Sequence, residues 1–501
     1  MFTLTVGISV AAVATAFLSY IISIVIYNLY FHPLSRFPGP PLWAAFQFPF
    51  LQKMLQGRLP YRVKELHDKY GSIVRISPGE LSFIEPAAWR DIYMNKEFLR
   101  PPQWGNRPPG VEAYNLISAG VADHARFRKA IGAAFSDKAI RLQEPIINQY
   151  VDLLIEKLRQ TVEENRDERP TVDVVRWLNF TTFDVISDLG WGESFNCLEK
   201  QGYHPWITVI LQFQALLVAA ALNYYPLLAT FVSYITPKSA LVGLQLVLST
   251  SEKNVKIRLQ RKTNRPDMMS YILSHNKTSP ENSMSEAEMI ANSMAIIVAG
   301  SETLTAALAG TINNLITHPK EMQILVREIR SAFESEEKIT AQSTKPLAYL
   351  TAALQEGMRL CPPLPDNMHR NVPKGGVVIA GHHLPEGITV GIPCYAMFRS
   401  EANFTSPEEF IPERWLPRDE LSPYLKDRQE AYHPFSMGPH GCLGQQLAWV
   451  ELRVILARLL WNFDIEVPEG TKPLDWTSQN IFWAWDKKPA NVALSLARKG
   501  E

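Results

Sequence analysis

Apolar residues recur along most of this chain with a helical period. From about Arg141 to Lys262 they return every three to four positions, as on an amphipathic helix. Ser285-Glu286-Ala287-Glu288 is a capping box and predicts a long helix that runs to His318-Pro319. Another helix is expected over Pro346–Leu360, stopped by Pro362-Pro363. A last one follows Cys442 on the run Leu443, Leu447, Val450, Val454 and ends near Trp461. Strand-like runs are short and few: Ser72–Ile76, Val377–Ile379, Ile388–Val390 and a tail that includes Ile481–Trp485. The predicted class is mainly α with a small β portion.

Two stretches depart from the amphipathic pattern. Residues 1–31 carry no charged side chain, and Gly7–Ile26 is long enough to cross a bilayer as a helix. A cleaved signal peptide is the competing reading, because Ala12-Val13-Ala14 looks like a cleavage site. Yet no Lys or Arg precedes the apolar run, and it continues well past that point. Positive charge follows only on the C-terminal side, at Arg36, Lys53 and Arg58, which puts the bulk of the chain in the cytosol. His32–Pro41 is proline-rich and reads as a stiff, non-helical spacer. The expected organisation is an anchor over 1–30, a hinge over 31–45 and one domain over 46–501. The second stretch, Ile207–Ile235, is also free of charge; its prolines and polar breaks suit a lid over an apolar cavity, or equally a core helix.

Composition narrows the partners. Lys plus Arg and Asp plus Glu both number 50, so no net field favours nucleic acid. Cys197, Cys361, Cys394 and Cys442 are too scattered for a disulfide framework, and a reducing compartment is the simpler inference.

The candidate chemistry centres on Phe435–Gly444, reading FSMGPHGCLG. Glycines at 438, 441 and 444 let backbone approach a flat ligand, and the following helix start favours a thiolate at Cys442. A thiolate that is a metal's only protein ligand suits haem iron, whereas zinc and iron–sulfur sites need several ligands. A buried structural cysteine is the bland alternative. In the long helix, Ala299-Gly300-Ser301-Glu302-Thr303 has little bulk, and Thr303 can bond the Ala299 carbonyl one turn back, leaving a groove. Glu356 and Arg359 share a helix face, as do His124 and Arg128.

The pattern FxxGxxxCxG resembles the haem-binding loop of the cytochrome P-450 family, with His440 where that family usually has Arg. AGSET resembles its oxygen-binding signature, Glu356-x-x-Arg359 its ExxR pair, and Pro412-Glu413-Arg414 the segment supplying a second arginine. The order and spacing of these motifs match membrane-bound eukaryotic members, fungal enzymes of secondary metabolism above all. The resemblance implies a triangular α prism with an N-terminal transmembrane helix, in the endoplasmic reticulum membrane. It implies haem b with Cys442 as axial ligand in a loop that includes Phe435, Gly438, His440 and Gly444. It also implies propionate contacts from His124, Arg128, Arg370 and His440, a Glu356–Arg359–Arg414 triad that fixes the haem loop, and proton relay by Thr303 and Glu302. The implied reaction inserts one atom of O2 into a lipophilic small molecule, with electrons from an NADPH–cytochrome reductase. A haem-thiolate isomerase or dehydratase, or a haem sensor or carrier, would use the same loop and remains the alternative.

Overall fold

The computed structural model describes residues 2–101, 107, 110–165, 169–212, 218, 221–225, 230, 238–366, 368–418 and 420–497. The helices that position the site are α1 (Phe2–Ile26), α2 (Pro41–Ala45), α3 (Phe48–Leu55), α4 (Ala87–Tyr93) and α5 (Val121–Gly132). After them come α6 (Asp137–Glu164), α7 (Val174–Trp191), α8 (Glu286–Thr317), α9 (Ala348–Leu360) and α10 (Gln445–Asn462). The strands are β1 (Ile73–Ser77), β2 (Glu80–Phe83), β3 (Thr171–Asp173), β4 (Arg370–Asn371), β5 (Val377–Ile379) and β6 (His382–Leu384). Then follow β7 (Thr389–Gly391), β8 (Phe463–Glu466), β9 (Asn480–Phe482), β10 (Ala484–Asp486) and β11 (Asn491–Leu496). The class is mainly α with a small β portion, as the periodicity predicts.

Helix α8 starts at the capping box: the Glu288 N–H donates to the Ser285 hydroxyl at 3.2 Å, and the Ser285 N–H to the Glu288 carboxylate at 2.8 Å. It runs through the protein against α7, which is buried along most of its length. The two helices approach closely. A Cβ on Gly300 would lie 2.7 Å from Ile186, and the Thr182 and Thr305 hydroxyls sit 3.0 Å apart. The role expected for Gly300 therefore changes: its missing side chain admits a neighbouring helix and not a ligand.

The β portion splits into small sheets. One has the order β1-β2-β7-β4, with β2 and β7 parallel. Another places β11 between β3 and β8, while β5–β6 and β9–β10 are hairpins. The first sheet and α4 share an apolar cluster separate from the helical core.

The proline-rich stretch is expected as a stiff, non-helical spacer, yet it packs against the domain and ends in a short helix. Leu34 is fully buried and Phe37 nearly so, both in the cluster around the first sheet. Pro41–Ala45 forms a short helix with proline at its first position, where a missing N–H costs nothing. Helix α1 covers the whole apolar run and continues as a π-helical turn, Tyr27–Phe31. Among the described residues two apolar helices have the length to cross a membrane. The span Ala11–Phe31 is 0% buried, whereas α8 is 67% buried and is the core helix of the domain. Most of Ile207–Ile235, and Trp104, lie outside the described residues.

One core residue breaks the apolar pattern. Glu451 on α10 is buried, and among the described residues neither carboxylate oxygen has a partner. Burial pushes its carboxyl up to about 8. The folded state thus keeps a proton that the unfolded chain loses above its ordinary value. Stability then falls as pH rises from that value through the folded one, by about 1.4 kcal/mol per pH unit. A Glu451→Gln protein should be the more stable form near neutral pH, by up to a few kcal/mol. Melting curves of both holoproteins between about pH 6 and about pH 8.5 check this; parallel slopes would refute it.

Candidate active site

The loop ahead of α10 is wound tightly. The Ser436 N–H donates to the His433 carbonyl at 2.9 Å, the Gly441 N–H to Gly438 at 2.9 Å and the Cys442 N–H to Phe435 at 2.8 Å. Gly438 has φ of +68°, and a Cβ there would lie 2.3 Å from the Tyr93 carbonyl of α4, so only glycine fits. The Phe435 ring packs on Trp449 with centroids 5.9 Å apart, which ties the loop to α10. Cys442 precedes the helix by three residues, with Gly444 at the N-cap. It is exposed, whereas Cys197, Cys361 and Cys394 are buried. Burial of the surrounding loop still pushes its thiol above the ordinary value, outweighing the Gly444 N–H and the Arg128 charge. The helix start does not by itself produce a thiolate here; a coordinated metal deprotonates such a thiol outright.

Cationic side chains gather beside this loop. Arg128 on α5 donates to the Gly441 carbonyl at 2.6 Å, next to Cys442. His124, one turn earlier, is buried and its ring meets that of His440 with centroids 4.2 Å apart. Arg370 on β4 is buried, lies over the Tyr93 ring, and its Nε has no partner among the described residues. Arg100 joins them, a residue that sequence reasoning missed because a single arginine before two prolines carries no motif. Burial and the neighbouring guanidinium groups pull His124 down to about 4 and His440 to about 3. Burial and Arg370 likewise lower Arg100 to about 9. No carboxylate is among the groups acting on the two imidazoles. Three guanidinium groups and two imidazoles that stay neutral near pH 7, with no carboxylate paired to them among the described residues, suit a ligand that brings carboxylates. With the exposed thiol of Cys442, they fit a haem and its two propionates.

On α8, Thr303 is half-buried and its hydroxyl donates to the Ala299 carbonyl at 2.7 Å; Ala299 is exposed within an otherwise buried helix. Glu302 turns elsewhere. Its carboxylate pairs with Lys487, just beyond β10, and both side chains are almost fully buried. The other oxygen, Oε1, has no partner among the described residues. Lys487 lies 185 residues on, and nothing in the sequence announces the pair. Of the strand-like tail Ile481–Trp485, most is core: the Trp485 indole donates to the Pro362 carbonyl at 2.8 Å, and only Trp483 is left half-buried at the hairpin tip.

Glu356 and Arg359 are completely buried and bonded at 2.8 and 2.9 Å. Arg414 joins at 3.0 Å, the Trp415 indole at 2.8 Å and the Ile411 N–H at 2.9 Å. Asp427 pairs with Arg414 and extends the expected triad to a fourth charged member. Burial opposes ionisation of Glu356, but the two guanidinium groups and their hydrogen bonds hold its carboxyl below the ordinary range. Arg359 also donates to the Phe398, Pro407 and Glu409 carbonyls. These residues grip the chain that leads into the cysteine loop and do not reach the cationic cluster itself.

The cytochrome P450 family model matches residues 37–493. Cytochrome P450 monooxygenase astJ of Aspergillus oryzae is 39% identical over 470 residues, covering 93% of this chain and 92% of that protein. Averantin hydroxylase of Dothistroma septosporum is 37% identical over 487 residues, with 96% and 90% covered. Trichothecene C-15 hydroxylase of Fusarium sporotrichioides is 37% identical over 483 residues, with 95% and 96% covered. Likeness of this degree over nearly the full length, around a loop built to present Cys442, places the chain in the cytochrome P450 family as a fungal-type haem-thiolate monooxygenase.

Proposed function

We propose that this monooxygenase oxidises a lipophilic secondary metabolite while held by α1 to the endoplasmic reticulum membrane, its domain on the cytosolic side. The observation that carries the reading is one exposed cysteine beside a cluster of three arginines and two histidines that pair with no carboxylate among the described residues. When bound, haem b supplies the activation of O2, fed with electrons by an NADPH–cytochrome reductase.

The chain's own residues do the rest. Cys442 would hold the haem iron through its sulfur, and Phe435, packed on Trp449, would steady the loop that carries it. Arg100, Arg128 and Arg370 would hold the haem propionates, with His124 and His440 as neutral hydrogen-bond donors. Glu356, Arg359 and Arg414 hold the loop that carries Gly438, Cys442 and Gly444. The Thr303 hydroxyl donates its one proton to Ala299 at rest; turned away from that carbonyl, it can give this proton to a distal acceptor while a lone pair accepts one from a water. Glu302 can receive a proton at Oε1 while Lys487 holds Oε2. Two relatives are named for hydroxylation, of averantin and of trichothecenes, which supports hydroxylation of a secondary metabolite as the reaction here.

Thr303→Ala tests the proton path. Haem content and substrate-induced spectral change should stay near parent values, since one half-buried hydroxyl is lost. Product formation should fall by about 10²-fold, the low end for lost general-acid help, with hydrogen peroxide rising in step. Product formed per NADPH consumed is the measurement. An unchanged ratio would leave Thr303 a packing residue.

A further inference from the structure

The apolar helix does not leave the domain through a loose joint. Asn28 lies in its last, π-helical turn, where the His32 N–H goes to the Tyr27 carbonyl and Pro33 has no N–H to offer the Asn28 carbonyl. The Asn28 carbonyl accepts from Arg75 Nη1 at 2.8 Å. The Asn28 side chain donates to the Ala45 carbonyl at 2.9 Å, at the end of α2. Arg75 sits on β1 with 1% of its surface exposed, and among the described residues no carboxylate pairs with it. Its remaining donors go to the Pro78 carbonyl at 2.7 and 3.3 Å. A buried guanidinium surrounded by carbonyls alone needs a source of negative potential. The C-terminal end of a long helix supplies one.

The same residue grips the intervening chain. Its N–H donates to the Pro38 carbonyl at 2.8 Å, and its carbonyl packs so near Gly39 that a Cβ there would lie 2.3 Å away. Arg36 adds a bond to the His383 carbonyl at 2.6 Å on β6. Around this exit the surface is apolar and aromatic: Tyr30 is 72% exposed, Phe31 71%, Phe48 66% and Leu42 60%, with Phe46 beside them. Exposed rings at the end of an apolar helix suit the headgroup layer of a bilayer.

We infer that Arg75 caps the C-terminal end of the N-terminal helix and joins helix and domain into one rigid unit, which presses the face carrying Leu42, Phe46 and Phe48 into a lipid bilayer. The inference rests on reading α1 as a membrane anchor, and the experiment separates the two. The full-length holoenzyme is placed in phosphatidylcholine nanodiscs with spin labels at Tyr20→Cys and Leu142→Cys. Background labelling is low because three native cysteines are buried and Cys442 holds the haem. A third protein carries one label at Phe48→Cys.

The distance distribution between the first two labels should be narrow in the parent. It should broaden about twofold or more with Arg75→Gln, as for a flexible tether, and to an intermediate degree with Asn28→Leu. The label at position 48 should be accessible to oxygen and shielded from a water-soluble nickel chelate, and should lose that shielding with Arg75→Gln. If Arg75→Gln fails to retain haem, Arg75→Lys decides by the same criteria, since it keeps the buried charge and gives up the fork that reaches the Asn28 and Pro78 carbonyls together. A protein that does not enter the discs at all defeats the anchor reading. One that enters them with a broad parental distribution, or with widths unmoved by the substitutions, defeats the Arg75 cap.

Discussion

A Cys442→Ala protein is expected to lose the thiolate-type spectrum of its reduced carbon-monoxide complex, together with all turnover. No other cysteine can substitute. Cys197, Cys361 and Cys394 are buried at 0%, 1% and 3% exposure, and burial pushes each thiol up to about 12. Cys361 is also wedged against Gly310, where a Cβ would come within 2.5 Å of it, and accepts from Asn314 at 3.4 Å. The cationic cluster survives the substitution, so haem can still dock weakly through its carboxylates without the axial bond. Binding should therefore drop while the Soret band moves away from the thiolate form. Retention of the thiolate spectrum would sink the assignment of Cys442.

Glu356→Ala should be nearly as damaging, although Glu356 touches no part of the cationic cluster. Its carboxylate accepts from Arg359, Arg414, Trp415 and Ile411 in a fully buried setting. Removing it leaves two guanidinium groups facing one another with Asp427 as the remaining anion. Breaking a buried pair in this way costs about 3–5 kcal/mol, against about 5–15 kcal/mol for a whole domain. Most of the protein should fail to accumulate as holoprotein, and what remains should melt lower and lose haem faster. Haem-to-protein ratio and melting temperature in detergent are the readouts. Parent values for both would mean the network is dispensable.

What the sequence revealed and what it hid divide along a physical line. The long helix, its capping box, the glycine loop and the paired Glu356 and Arg359 are local: their signals lie within four residues or one motif. The contacts that escaped are long-range and chemically ordinary. Lys487 beside Glu302, Asp427 beside Arg414 and Arg100 beside Arg370 are charges that look solvent-exposed until the fold buries them. The proline-rich stretch deceived for the same reason. Prolines without regular periodicity read as a stiff spacer, yet Leu34 and Phe37 bury themselves against strands formed much later in the chain. Gly300 was legible as a small residue but not as to which neighbour required it; only the crossing with α7 settles that.

The central place of β11 in its sheet has a consequence for biosynthesis. Strand β3 pairs with β11 at Asp173↔Asn491, and β8 pairs with the other edge of that same strand. During translation β3 therefore emerges roughly 300 residues before its partner, a wait of about 15–60 s at usual elongation speeds. For that interval its hydrogen-bonding edge is open beside a growing helical bundle, the condition under which nascent chains associate wrongly. Ribosome pausing or chaperone occupancy across that window should govern how much enzyme a cell obtains, independently of how stable the finished molecule is.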